Sequence, residues 1–150
     1  MCWARWPRVY ARAMRLFLVR HAEAAPGEPD ELRPLTGAGR HVARHLGERL
    51  AKERPDAVVS SPLLRARETA ELIARAAGLT PEADERLAPG ATAEDLKAAT
   101  SDRGETVVAV GHQPDCSTIV LALTGRERAF APGAVQELEL DDVGSTESSQ

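Results

Sequence analysis

Two short apolar runs, each cut off by a histidine, constrain this chain more than any other feature. Residues 15–19 (Arg-Leu-Phe-Leu-Val) stop at Arg20-His21, and residues 107–110 (Val-Val-Ala-Val) stop at Gly111-His112. Apolar runs of that length suit strands buried on both faces, and so a largely parallel sheet covered by helices. Open sheets of this kind bind ligands beyond the carboxyl ends of their strands, where both histidines stand.

The rest of the chain alternates strand and helix. Thr36 is a helix N-cap, with Val42, Ala43, Leu46 and Leu50 as the apolar stripe behind it and Pro55 as the stop. Residues 56–59 make a second strand. Ser61 and Pro62 read as the N-cap and first position of another helix, with Ala66, Ala70, Ile73 and Ala77 on its buried face and Gly78 at its end. A short strand is expected over 82–87, a short helix over 93–99, a core strand over 106–110 and a helix over 115–123 ended by Gly125. Residues 135–140 alternate like an edge strand with one wet face. The expected fold is α/β and three-layered: a mostly parallel central sheet with helices on both faces. Right-handed crossovers bring Arg20, His21 and His112 to one side of that sheet.

At 150 residues the chain suits a single core. A net charge of -4 gives no support to nucleic-acid or membrane-surface binding. Cys2 and Cys116 lack metal-type spacing, so free thiols in a reducing cytosol are expected. No run is long enough to cross a bilayer. Residues 1–13 carry arginines but no apolar core of a signal peptide, and Met14 stands just before the first strand. They read as a leader, with a docking or membrane-touching element around Trp3 and Trp6 as the rival. The domain is then 14–140, and 141–150 a disordered polar tail.

A transferring phosphoryl group needs one nucleophile in line and several fixed donors around its oxygens. His21 can attack through a neutral ring nitrogen if its other nitrogen is held by a hydrogen bond. Arg20 can share its pocket only if the chain bends, since neighbours on a strand point to opposite faces, and the small Ala22 permits the bend. Arg65 lies in the first turn of a helix, where backbone N–H groups also favour an anion. Gly111 lets the strand that carries His112 approach closely. Such a cluster of cations and imidazoles calls for an anion, and phosphate suits it.

These residues fall in motifs: Leu18-Val19-Arg20-His21-Ala22-Glu23, then Ser60-Ser61-Pro62-Leu63-Leu64-Arg65-Ala66-Arg67-Glu68-Thr69-Ala70, then Val110-Gly111-His112. In that order they resemble the histidine phosphatase superfamily (phosphoglycerate-mutase-like) over residues 14–140. Arg33-Pro34-Leu35-Thr36 with Gly39, and Leu87-Ala88-Pro89, look most like its small bacterial phosphohistidine phosphatases of the SixA type. The resemblance implies a phospho-His21 intermediate, with Arg20, Arg65 and His112 as catalytic and substrate-binding residues and no metal or other cofactor. Two positions depart from the pattern. Ala22 replaces the family's usual glycine, and Pro89 stands where many phosphomonoesterases and mutases of the family carry a glutamate general acid.

An alkoxide leaving group gains typically ~10²–10⁴-fold from such an acid. A phosphohistidine, protonated on its distal nitrogen, releases neutral imidazole without one. The expected partner is therefore a phosphohistidine-bearing signalling or phosphocarrier protein, acted on by a monomeric cytoplasmic enzyme. The short interval from Arg65 to His112 leaves an open pocket, which agrees. One rival is a small phosphorylated substrate, a nucleotide or sugar phosphate. The other is a non-catalytic module that binds phosphorylated partners.

Glu23, Glu85 and Asp115 are the nearest carboxylates that could stand in for the missing acid, and Asp115 is equally explained as a first-turn helix acid. His41 and His45, one turn apart, lack a third metal ligand and read as a solvated helix face. Arg33 reads as paired with Asp30 or Glu31, with a place at the pocket rim as the rival, and Cys116 as a small buried hydrophobe.

Overall fold

The apolar run that ends at His21 forms β1 (Ala13–Arg20), the second strand from one edge of a five-stranded sheet. It pairs in parallel with β4 (Thr106–Gly111) and in antiparallel with β5 (Val135–Asp141). Beyond β4 lie β2 (Ala57–Ser60) and the two-residue β3 (Glu82–Ala83), both parallel, giving the order β3-β2-β4-β1-β5. This computed structural model describes residues 13–141. Residues 1–12 and 142–150, with Trp3, Trp6 and nearly all of the expected leader and tail, lie outside the described residues.

Among the described residues four helices cover the sheet: α1 (Gly37–Ala51), α2 (Leu64–Ala77), α3 (Ala93–Thr100) and α4 (Asp115–Thr124). The apolar strands are explained by burial on two sides. Leu16 and Leu18 of β1 join Val107 and Ala109 of β4 against Leu96 of α3 and Ile119 and Val120 of α4. Phe17 and Val19, with Val108 and Val110, pack on the opposite face against Leu46 and Leu50 of α1 and Ala66, Ala70 and Ile73 of α2. The expected α/β architecture is the one observed. Among the described residues no helix is long and apolar enough to cross a membrane.

Local chemistry sets the boundaries. The Thr36 hydroxyl accepts from the Gly39 N–H at 2.9 Å and starts α1, as its sequence implies. Thr92 and Asp95 form a reciprocal capping box at α3. Gly78 and Gly125 end α2 and α4 in the left-handed region that favours glycine, at φ 74° and 77°.

Three expectations need correction. Ser61 is not an N-cap and Pro62 not a first helical residue: α2 begins at Leu64, after an extended Leu63 at φ -67° and ψ 144°. The Ser61 hydroxyl instead accepts from the Leu63 N–H at 3.2 Å and lies 2.7 Å from His112 Nε2. Only Glu82–Ala83 of the expected 82–87 strand is extended with a partner, and Glu85–Leu87 is a 3₁₀ turn capped by Asp84. Val42 is 42% exposed, because the buried face of α1 runs through Gly39, Ala43, Leu46, Gly47 and Leu50. A Cβ at Gly47 would lie 3.0 Å from the Leu72 carbonyl oxygen and 3.1 Å from Ile73 Cα, so the glycine lets α1 and α2 approach closely.

The register of β1 and β4 positions the site. Arg20 lies opposite Gly111, and the His21 N–H donates to the Gly111 carbonyl at 3.0 Å, one rung past the strand. His21 and His112 therefore leave neighbouring parallel strands at the same level.

Candidate active site

His21 is buried where β1 ends. Its Nδ1 lies 2.7 Å from the Ala22 carbonyl oxygen, which can only accept, so Nδ1 carries the ring proton. Nε2 is left with its lone pair. Burial lowers the His21 pKa below its ordinary 6.5; the bond to Ala22 opposes this, and the charges of Arg65, Arg20 and Arg33 reinforce it. The ring is a neutral base with a defined tautomer.

The His112 ring stands edge-on to that of His21, with centroids 5.2 Å apart. Its Nε2 meets the Ser61 hydroxyl, and its Nδ1 is buried with no hydrogen-bond partner among the described residues. Burial, then the neighbouring His21 and Arg65, hold its pKa down to about 4.

Arg20 is the last residue of β1, still within the strand rather than past it. Its Nη1 donates to the Phe130 carbonyl at 2.8 Å, while its Nε is buried without a partner. The expected bend follows immediately. The Gly133 N–H is shared between the carbonyls of Arg20 (2.9 Å) and His21 (3.1 Å), and the Ala22 N–H turns away to the Thr69 hydroxyl at 3.1 Å.

Arg65, the second residue of α2, is only 8% exposed. Its charge lowers the pKa of both histidines, as does that of Arg20. The histidine rings from β1 and the end of β4 thus stand side by side, and the charges of Arg20 on β1 and Arg65 on α2 act on both. A carboxylate joins them there. Asp30, on a 3₁₀ turn over Asp30–Leu32, accepts from Arg65 and also from Arg33 Nη1 at 2.9 Å, as the Arg33 pairing implied. These bonds, Arg33 first and then Arg65, hold the Asp30 carboxyl below its usual range.

Each carboxylate considered as a substitute acid has another job or stands in solvent. Glu23 accepts from the Thr36 hydroxyl at 2.7 Å. Asp115 Oδ2 accepts from the N–H groups of Gly90 (2.8 Å) and Ala91 (3.1 Å), tying the segment after Pro89 to α4. Glu85 is exposed at the start of its 3₁₀ turn. His41 and His45 lie exposed on α1 with Nε2 atoms 3.1 Å apart, and the described residues hold no group of three or more His, Cys, Asp or Glu suited to a metal. Cys116 is buried, and burial pushes its thiol up to about 12.

Sequence reasoning missed Thr69, the contact of Asp30 with Arg65, and the carbonyls of Phe130 and Gly111. Thr69 is fully buried; it accepts from Ala22 and donates to the Arg65 carbonyl at 2.8 Å, linking the turn after His21 to α2. Its place four residues after Arg65 was the available signal. A main-chain carbonyl leaves none.

The chain matches the model of the histidine phosphatase superfamily (branch 1) over residues 16–89. It is 37% identical over 112 residues to an uncharacterized protein of Picosynechococcus, covering 68% of each chain. It is also 37% identical over 81 residues to a probable phosphoglycerate mutase, GpmB, of Serratia proteamaculans, covering 49% of this chain and 37% of that protein. Among solved structures, the protein histidine phosphatase SixA complexed with tungstate superposes with a TM-score of 0.78 at 28% identity, over 88% of this chain and 92% of that one. With the same fold and the superfamily's sequence model matched across β1, α1, β2 and α2, the chain belongs to the histidine phosphatase superfamily.

Proposed function

We propose that this protein is a phosphatase that takes the phosphoryl group from a phosphohistidine on a signalling or phosphocarrier protein, holds it on His21 and passes it to water. One observation carries the reading. Among the described residues two buried nitrogens of the predicted site lack partners, Arg20 Nε and His112 Nδ1. Buried unsatisfied polar atoms are rare and costly, and a ligand with several acceptor oxygens would complete them.

The His21 Nε2 lone pair forms the new N–P bond while the substrate's P–N bond breaks. That pair returns to the substrate imidazole, which departs neutral because its distal nitrogen already carries a proton. Arg20, Arg65 and His112 act on the equatorial oxygens, where charge is spread in the transition state. Water then forms a P–O bond, the pair of the N–P bond returns to Nε2, and one water proton passes to solvent. His21 is restored with its proton on Nδ1.

Pro89, at the place of the family's glutamate, cannot donate, and the carboxylates of Glu23 and Asp115 are engaged elsewhere. This favours a leaving group that needs no acid. The likeness to a protein histidine phosphatase bound to tungstate, a tetrahedral oxyanion, agrees. The match to a probable phosphoglycerate mutase favours a second reading, a small phosphate ester.

Rapid-quench mixing with a radiolabelled phosphohistidine domain tests the proposal. Labelled protein should appear within one turnover and be absent from His21→Ala. Turnover of p-nitrophenyl phosphate and sugar phosphates should be lower by at least about 100-fold in kcat/KM. Equal rates would select the small-ester reading, and the absence of any phosphoenzyme would leave a binding module.

A further inference from the structure

We infer that Ser61 is a positioning residue that fixes His112 as the neutral tautomer with its proton on Nδ1, making it a hydrogen-bond donor to phosphoryl oxygen and excluding it as a proton-donating acid. The inference rests on the phosphoryl-transfer reading of the pocket and assigns the proton within it.

The assignment follows from counting hydrogens. Ser61 is fully buried and His112 is 4% exposed. Ser61 Oγ already accepts from the Leu63 N–H at 3.2 Å, so its own single hydrogen needs an acceptor. His112 Nε2, at 2.7 Å, is the atom in place to accept it. If Nε2 carried the proton instead, Ser61 Oγ would accept it, and the buried serine hydrogen would have no acceptor among the described residues. Nδ1 would then be a bare lone pair, buried beside His21 and unable to bond a phosphoryl oxygen. With the serine donating to Nε2, one group is left over, the Nδ1–H, and an oxyanion is its natural acceptor.

The alternative of a doubly protonated ring fails on its surroundings. His21, Arg65 and Arg20 disfavour a positive charge there, Asp30 favours it, and burial outweighs Asp30.

The backbone makes the pairing rigid. The Ser61 N–H donates at 3.0 Å to the carbonyl of Val110, two residues before His112, and so extends the ladder between β2 and β4. The extended Leu63 that delays α2 keeps the serine oxygen free of a helix-capping role.

A neutral imidazole that gave up its Nδ1 proton would become an imidazolate, far too basic to form here. His112 therefore contributes electrostatic stabilisation and no proton transfer. Neither it nor Pro89 can protonate an alkoxide, whereas a departing neutral imidazole requires nothing of them. The same tautomer thus accounts for a preference for P–N over P–O substrates.

Long-range ¹H–¹⁵N correlation spectra of the full chain labelled at histidine, assigned with His112→Gln, test this directly. The expected His112 pattern is Nδ1–H with an unprotonated Nε2, unchanged from pH 8 to 5.5, and vanadate should shift the Nδ1 proton. In Ser61→Ala the His112 pattern should become a tautomer mixture and kcat should fall about tenfold or more, with KM less affected. Ser61→Thr, which keeps a hydroxyl, should restore the spectrum. An Nε2–H pattern in the wild-type protein, titration of His112 near 6.5, or an unaltered His112 spectrum in Ser61→Ala overturns the inference. The spectra need no turnover, so a protein inactive on every phosphohistidine but showing the Nδ1–H pattern would refute the proposed activity alone. An active phosphatase with the opposite tautomer would refute this inference alone.

Discussion

Arg65 gives both of its terminal nitrogens to one residue: Nη1 donates to the Asp30 carbonyl at 2.9 Å and Nη2 to the Asp30 carboxylate at 3.2 Å. The guanidinium proposed to hold a phosphoryl group therefore already holds a carboxylate, supplied by a side chain that is 61% exposed. An incoming oxyanion must share that guanidinium with Asp30 or displace it. Asp30→Asn should bind vanadate more tightly, by at least about twofold, since it removes a competing negative charge whose attraction is partly screened by solvent. Weaker vanadate inhibition would instead mark Asp30 as the residue that aims Arg65.

The lowered His21 pKa has a kinetic consequence. A group titrating below 6.5 is still mostly neutral at that pH, so single-turnover phosphorylation of His21 should remain above half its maximal rate at pH 6.5. It should decline only on further acidification, as the nucleophile becomes protonated. A rate that halves near pH 6.5 in stopped or quenched-flow measurements would contradict this.

Stability should follow pH through His112. Its ordinary value is 6.5 and its folded value about 4, so between them the unfolded chain binds a proton that the folded one refuses. The folded state is therefore favoured above pH 6.5 and loses that advantage as the pH falls toward 4, by on the order of 3 kcal/mol from this group at most. Thermal or urea unfolding of wild type beside His112→Gln checks it: the variant should show a shallower loss between pH 6.5 and 4.

Gly39 lies against the turn that follows His21. A Cβ there would overlap the Glu23 carbonyl oxygen and lie 3.1 Å from Glu23 C and N. Gly39→Ala should destabilise the fold by about 1–3 kcal/mol and slow phosphoenzyme formation, because the obstacle is main chain and cannot rotate aside. Urea denaturation and rapid quench measure the two effects separately. A stable, fully active variant would show that the approach of α1 to this turn is not needed.

Thr69→Val would leave the Ala22 N–H buried without its acceptor. The expected cost is about 1–3 kcal/mol in stability, with kcat for the phosphohistidine substrate affected more than KM, since the turn that orients His21 is loosened. Equal stability in calorimetry would count against that role.

The strands were legible because burial on two faces leaves an unmistakable apolar run, and the arginines and histidines because their motifs keep family order. Ser61 was misread for a physical reason. Serine followed by proline suits a helix start, and only the fold reveals that the serine oxygen is occupied by a histidine that follows it by 51 residues. Val42 followed the helical period, yet Gly47 turned the buried face of α1 away from it. Asp30 was legible as a partner of Arg33, three residues on, but its reach to Arg65 depends on how the Pro-rich loop folds back over α2. Local charge patterns carry no such information.

The pairing of Arg20 with Gly111 fixes more than a strand register. Because His21 and His112 follow those two residues, the spacing of their rings is set by the repeat distance of a hydrogen-bonded sheet, a length that surface insertions and deletions do not alter. The reacting machinery is thereby insulated from evolutionary drift in the segments that meet the substrate. Such a scaffold can change its clientele by rewriting its rim while its chemistry stays the same.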